Sequence, residues 1–246
     1  MKAILLAAAL SISLAACNSP SPRTASNGPL PQPTGWKAVL IAGDNREPAF
    51  DTAVDAVAGK LSAFGVPRTD ITILKATGRG PQAATEANVV GAFESLAPGT
   101  GDGCFVFVTS HGGRDSGLVI EPAHAFLSPV NLDDLLSGPC EARPTVVIAS
   151  GCYSGIFAEG QSMPASNRVI LTAARDDRTS FGCDDKRRFT VFDECLLGNF
   201  VRGLSWQAVM DRIRACVAWN EQAFGVQAPS SPQIWLGAEV ADLRVF

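Results

Sequence analysis

Two histidines and one tyrosine are all that the 246 residues hold of those side chains, so the search for an imidazole base is short. No two of the cysteines are spaced C-x-x-C, which removes the zinc ribbon and the thioredoxin-like redox pair. There is no basic stripe and no cluster of aromatics with arginine. Lys and Arg number 20 against 24 Asp and Glu, so nucleic acid is not an expected partner. The net charge of −4 and pI near 5.2 describe an ordinary solvated surface. No internal repeat is present. No apolar run reaches the ~20 residues of a membrane-spanning helix; residues 3–14 supply only about a dozen.

What is present begins with that short run. Lys2 followed by an apolar stretch reads as an export signal. It ends in Leu14-Ala15-Ala16-Cys17, which resembles the bacterial lipobox; that resemblance implies cleavage before Cys17 and lipidation of its thiol. Asn18 behind the cysteine then points to the outer membrane, facing the periplasm. Residues 18–35 are rich in Pro, Ser, Gly and Asn and bury too little apolar surface to offset their ordering entropy. The expected organisation is a signal peptide at 1–16, a tether at 17–35 and one folded domain at 36–246. A hydrophobic content of 46% suffices for a sizeable core. Seven cysteines stand at 17, 104, 140, 152, 183, 195 and 216. An exported chain meets a disulfide-permissive compartment, and Cys183–Cys195 is the bridge expected across a loop.

The remainder alternates. Unbroken apolar strands are expected at 37–43, 71–75, 104–109, 145–149, 168–173 and 233–237. Helical spacing is read at 48–65, 85–97, 131–136 and 205–224. In the second helix Thr85 is the expected cap, with Ala87, Val90, Phe93 and Leu96 or Ala97 inward; in the third, Asn131 is the expected cap. Strands apolar on both faces, separated by helices, imply an α/β fold: a mainly parallel central sheet with helices on both faces. Such sheets carry functional groups at the carboxyl ends of their strands.

Two strand ends stand out. His111 follows CFVFVT in the stretch CFVFVTSHGG, and Cys152 follows TVVIAS in TVVIASGCYSG. On neighbouring parallel strands the two side chains come within reach. A cysteine and a histidine are the minimum for thiol catalysis, the imidazole lowering the thiol pKa or taking its proton. The backbone N–H groups of Gly112, Gly113 and Cys152 are candidate donors to an oxyanion. His124, the other histidine, lies in a loop with no nucleophile placed beside it, and Ser154 in GCYSG lacks the G-x-S-x-G elbow spacing.

TSHGG at 109–113 and VVIASGCYSG at 146–155 resemble the two catalytic blocks of clan CD cysteine peptidases, and most of all the bacterial branch of the legumain-like C13 family. The segment 171–192, with its T-A-A element, the closing SSPQIWLG and the opening AVLIAGDNREPAF extend the resemblance over 37–237. It implies a caspase–haemoglobinase fold, a His111–Cys152 dyad acting through an acyl-enzyme, and no metal or organic cofactor. It also implies a substrate pocket built from Arg46, position 150, and Asp184 or Asp185. The family's acid two positions before the nucleophile is Ser150 here, so an Asn or Asp preference is expected in a form less strict than the family's. The implied substrate is a peptide or protein, with transpeptidation as a variant. The alternatives are a non-catalytic binding protein on the same scaffold, or Cys152 locked in a structural disulfide.

Overall fold

A computed structural model of the chain describes residues 28–182 and 187–246. Cys17, Cys183, Asp184 and Asp185 lie outside the described residues. Six strands form one sheet: β1 (Gly35–Ala42), β2 (Ile71–Lys75), β3 (Asp102–Thr109), β7 (Thr145–Ser150), β8 (Arg168–Thr172) and β9 (Gln233–Leu236). Their spatial order is β2-β1-β3-β7-β8-β9, parallel throughout except for the antiparallel edge strand β9. Three short strands, β4 (Gly112–Gly113), β5 (Gly117–Ile120) and β6 (Ala125–Leu127), make a small antiparallel sheet directly after His111.

The unbroken apolar strands follow from burial on both faces. Leu40, Phe105, Phe107, Val146 and Ile148 join one core with residues of α1 (Pro48–Ala63), α5 (Val191–Asn199) and α6 (Trp206–Ala223). Val39, Ile41, Val106, Val108 and Val147 join a second core with residues of α2 (Glu86–Glu94), α3 (Pro129–Ser137) and α4 (Ile156–Glu159). Each fully buried Phe, Leu or Val contributes roughly 1.5–3 kcal/mol over its exposed state. Together they fix which strands lie side by side.

Several local expectations change. Thr85 does cap α2, accepting from Asn88 N–H, but Val89, Ala92, Phe93 and Leu96 are buried while Val90 is exposed. The buried set is the i, i+3, i+4, i+7 face through Phe93 and Leu96, which hides more apolar area than the face through Ala87. Helix α3 starts earlier than expected: Ser128 is its cap and Asn131 its third residue, and the two form a reciprocal capping box. Helix α5, capped by Thr190, has no counterpart among the expected helices. The folded body also starts before residue 36. Leu30 N–H bonds to the Glu239 carbonyl and Gln32 to the Asp242 carbonyl.

The Cys183–Cys195 bridge is overturned, because Cys195 bonds to Cys216. Helices α5 and α6 pack face to face, bringing those two Cα atoms to 5.7 Å. A second bridge joins Cys104 to Cys140 across 36 residues. Among the described residues Cys152 pairs with no other cysteine, which favours a free thiol over the structural-disulfide alternative. Replacing both Cys104 and Cys140 by Ala is expected to lower unfolding stability by about 2–4 kcal/mol, read by denaturant titration under non-reducing conditions. A loss below ~0.5 kcal/mol would mean the bridge constrains little.

Candidate active site

Strands β3 and β7 are neighbours and end level. Thr109 pairs with Ser150, and the Ser110 N–H extends the pairing by bonding to the Ser150 carbonyl at 3.0 Å. His111 and Cys152 each sit two residues past that paired position, at the carboxyl edge of the sheet. The backbones stay in contact beyond the strands. A Cβ on Gly112 would lie 1.8 Å from the Cys152 carbonyl oxygen, so only glycine fits there.

The histidine is fixed from two sides. Its ring meets Phe50, in the first turn of α1, edge to face with centroids 5.3 Å apart. Its carbonyl accepts from Val119 N–H at 2.8 Å, and the Ser110 hydroxyl donates to the Val119 carbonyl at 2.7 Å. His111 and Val119 are therefore a hydrogen-bonded pair of the β4–β5 ladder. Antiparallel alternation then makes Gly112–Leu118 a non-bonded pair and Gly113–Gly117 a bonded one. The Gly112 N–H is left facing away from β5, while the Gly113 N–H turns into the ladder.

The thiol lies under the loop that follows β8. The Ser180 N–H donates to Cys152 Sγ at 3.3 Å, and the thiol lies 3.6 Å from the Ser180 carbonyl. Burial pushes the Cys152 thiol up from its ordinary value; the backbone N–H groups of Ser180 and Cys152 itself oppose this without cancelling it. The next residue, Tyr153, has φ 58°, a left-handed conformation unusual for a non-glycine, and its N–H bonds to the Arg178 carbonyl at 2.7 Å. Arg114 stacks over the Tyr153 ring at 4.9 Å. The adjacent Ser154 is buried, and its hydroxyl accepts from Ala173 and Ala174 N–H, so it holds the end of β8.

Other residues singled out by sequence fall on or near the same edge. Arg46 follows β1, and its guanidinium is engaged with Asp44 through Nε at 2.9 and 3.0 Å and through Nη2. Asp44, two residues past the end of β1, is completely buried. Burial alone raises the Asp44 carboxyl, but the hydrogen bonds and charge of Arg46, with a further contribution from His111, bring it below the ordinary aspartate value. Asp44 thus shares an electrostatic site with the histidine. Ser150 is buried, and its hydroxyl faces a carboxyl beneath the sheet edge. His124 is exposed, 3.9 Å from Glu121. Among the described residues no group of three or more His, Cys, Asp and Glu could hold a metal ion.

A parallel sheet that presents a cysteine and a histidine from adjacent strand ends defines a cysteine-peptidase scaffold, and its architecture is the caspase fold. Caspase-1 from Spodoptera frugiperda superposes with a TM-score of 0.63, covering 84% of this chain and 88% of that one at 13% identity. Residues 82–212, over half of the sequence, match the family described as the Peptidase C13 family. The chain belongs to that family. No curated protein matches it.

Arg46 is largely exposed, so its pairing with Asp44 is partly screened. Arg46→Ala is expected to cost about 1–2 kcal/mol at neutral pH, because the buried carboxylate loses its charged donor. The folded pKa of Asp44 lies below its unfolded value, so this stability is present above the unfolded pKa and is lost as pH falls through the folded one. Denaturation curves of native and variant protein should therefore converge in acid. A gap of constant size down to pH 2 would assign the loss to packing.

Proposed function

We propose that the chain is a lipid-anchored cysteine endopeptidase. The observation that supports this reading is the level pairing of β3 and β7, from whose adjacent carboxyl ends the chain runs on to His111 and Cys152, each two residues past the last paired position. Cys152 Sγ attacks the scissile carbonyl carbon and His111 takes the thiol proton. The tetrahedral intermediate collapses to a thioester as His111 returns that proton to the leaving amine. Water, activated by the same imidazole, then hydrolyses the thioester. The raised thiol pKa favours proton transfer during attack over a preformed ion pair. Of the glycines after the histidine, Gly112 has the free N–H, so Gly112 and Cys152 are the better oxyanion donors and Gly113 the weaker.

The substrate is a peptide or protein segment, with Arg46 and the Asp184/Asp185 loop proposed to line the pocket of the residue before the cut; Ser150, buried and turned toward Asp193, is withdrawn from it. Engagement of Arg46 by Asp44 and burial of Ser150 leave this pocket less polar than four free side chains would make it. Capture of the acyl-enzyme by an amine gives the transpeptidase variant.

The anchor reading rests on Cys17, with 1–16 removed, and places the protein at the outer membrane facing the periplasm. Two disulfides suit an exported chain. No helix among the described residues is long and apolar enough to cross a membrane.

A peptide-library assay on the exported chain in detergent tests the activity. Cleavage should appear in the native protein and fall by about 10³-fold or more in both Cys152→Ala and His111→Ala. Cutting after Asn or Asp supports the proposed pocket. No cleavage by the native protein, with Cys152 no more reactive to iodoacetamide than an unfolded thiol, would favour the non-catalytic binding scaffold.

A further inference from the structure

One ionisable group at the catalytic edge has no part in the chemistry above. Asp193, in the first turn of α5, is completely buried directly beneath the ends of β3 and β7. The Thr109 hydroxyl donates to Asp193 Oδ2 at 2.8 Å. Burial pushes the Asp193 carboxyl up from its ordinary value; the hydroxyls of Ser150, Thr109 and Thr190 face it and oppose this without cancelling it, and Oδ1 has no hydrogen-bond partner among the described residues. The backbone N–H of Asp193 is held by the Thr190 hydroxyl that caps α5. Among the described residues no cation pairs with Asp193.

Burying a carboxyl with incomplete partners costs several kcal/mol, and an apolar side chain would fill the same core more stably. What the carboxyl touches offers the compensation. Thr109 and Ser150 are the two residues paired across the ends of β3 and β7, and each stands two positions before a member of the dyad. The carboxyl is hydrogen-bonded to the end of β3 through Thr109 and faces the end of β7 at Ser150, so it joins both strand ends to the rigid start of α5. The α5 helix is itself clamped to α6 by Cys195–Cys216.

We propose that Asp193 is a positioning residue for the dyad. Through Thr109 and Ser150 it holds the two strand ends level and so sets the separation of His111 and Cys152. The inference rests on the peptidase reading. A displacement of about 1 Å at a reacting pair is enough to cost ~10²-fold in rate.

The test uses the full exported chain with Asp193→Ala, Asp193→Asn and Thr109→Val, and His111→Ala as control. Two quantities are read: kcat and KM on a peptide chosen from the library, and the pH profile of Cys152 labelling by iodoacetamide. Asp193→Ala should lower kcat by about 10–100-fold with KM within ~3-fold. It should also move the labelling profile to higher pH, in the direction His111→Ala moves it. Asn keeps an acceptor oxygen for Thr109, so Asp193→Asn should recover to within about fivefold of native. Thr109→Val should lie between the two. If the alanine variant fails to fold, the Asn and Val variants carry the result: native kcat and labelling in Thr109→Val would overturn the proposal. So would an alanine variant that is less stable but labels and turns over as native. The two readings fail separately. If His111→Ala labels and turns over as native, the dyad falls and the positioning role with it. If only the Asp193 and Thr109 variants behave as native, the dyad stands and the positioning role alone is wrong.

Discussion

The side-by-side ending of β3 and β7 is the constraint on which the site depends. Parallel pairing from Cys104–Thr145 to Thr109–Ser150 brings both chains out of the sheet at one height, and the Ser110–Ser150 bond holds them together one step further. Every later feature assumes that geometry. Gly112 lies against the Cys152 carbonyl because the two loops leave together. The β4–β5 hairpin turns the Gly112 N–H outward because His111 is pinned to Val119. The pairing is secured in turn by the two cores, since a one-residue slip of β3 against β7 would expose Phe105 and Phe107 to the wrong face.

Around that edge the electrostatics divide into two halves. On the histidine side a buried carboxyl, Asp44, is kept charged by Arg46 and sits within the field of His111. On the cysteine side the thiol is buried, pushed toward its neutral form, and touched mainly by backbone groups of the loop at Ser180. A negative charge near the imidazole and an uncharged thiol at rest suit a base that works during attack. In the proposed attack the charge separation, an imidazolium and the oxyanion of the tetrahedral intermediate, would meet Asp44 on one side and N–H groups on the other.

Much of this was legible in the residues. The apolar strands were readable because both faces are buried, which leaves no alternation to misread. His111 and Cys152 stood out because each lies two positions past such a strand. The unread part depends on contacts distant in sequence. Nothing near Cys195 in the chain announces Cys216 as its partner; that follows from the packing of α5 on α6. Asp44 resembled an ordinary turn residue, since burial at a strand end leaves no periodic signal. Asp193 was hidden more completely. It lies in a helix that the spacing did not show, and its partners Thr109 and Ser150 come from two other elements. The α3 cap is ambiguous in sequence because Asn131, three residues after Ser128, is an equally good capping residue type and carries the other half of the box.

The central claim is that Cys152 becomes acylated, and the covalent intermediate tests it most directly. A peptide p-nitrophenyl ester would be mixed with the native protein, the reaction quenched in acid, and the acyl group located by peptide mapping and mass spectrometry. The account predicts one acyl group per chain, attached to the peptide containing Cys152, and none in the His111→Ala protein on the same timescale. Acylation of another residue, or equal acylation with and without His111, would contradict it.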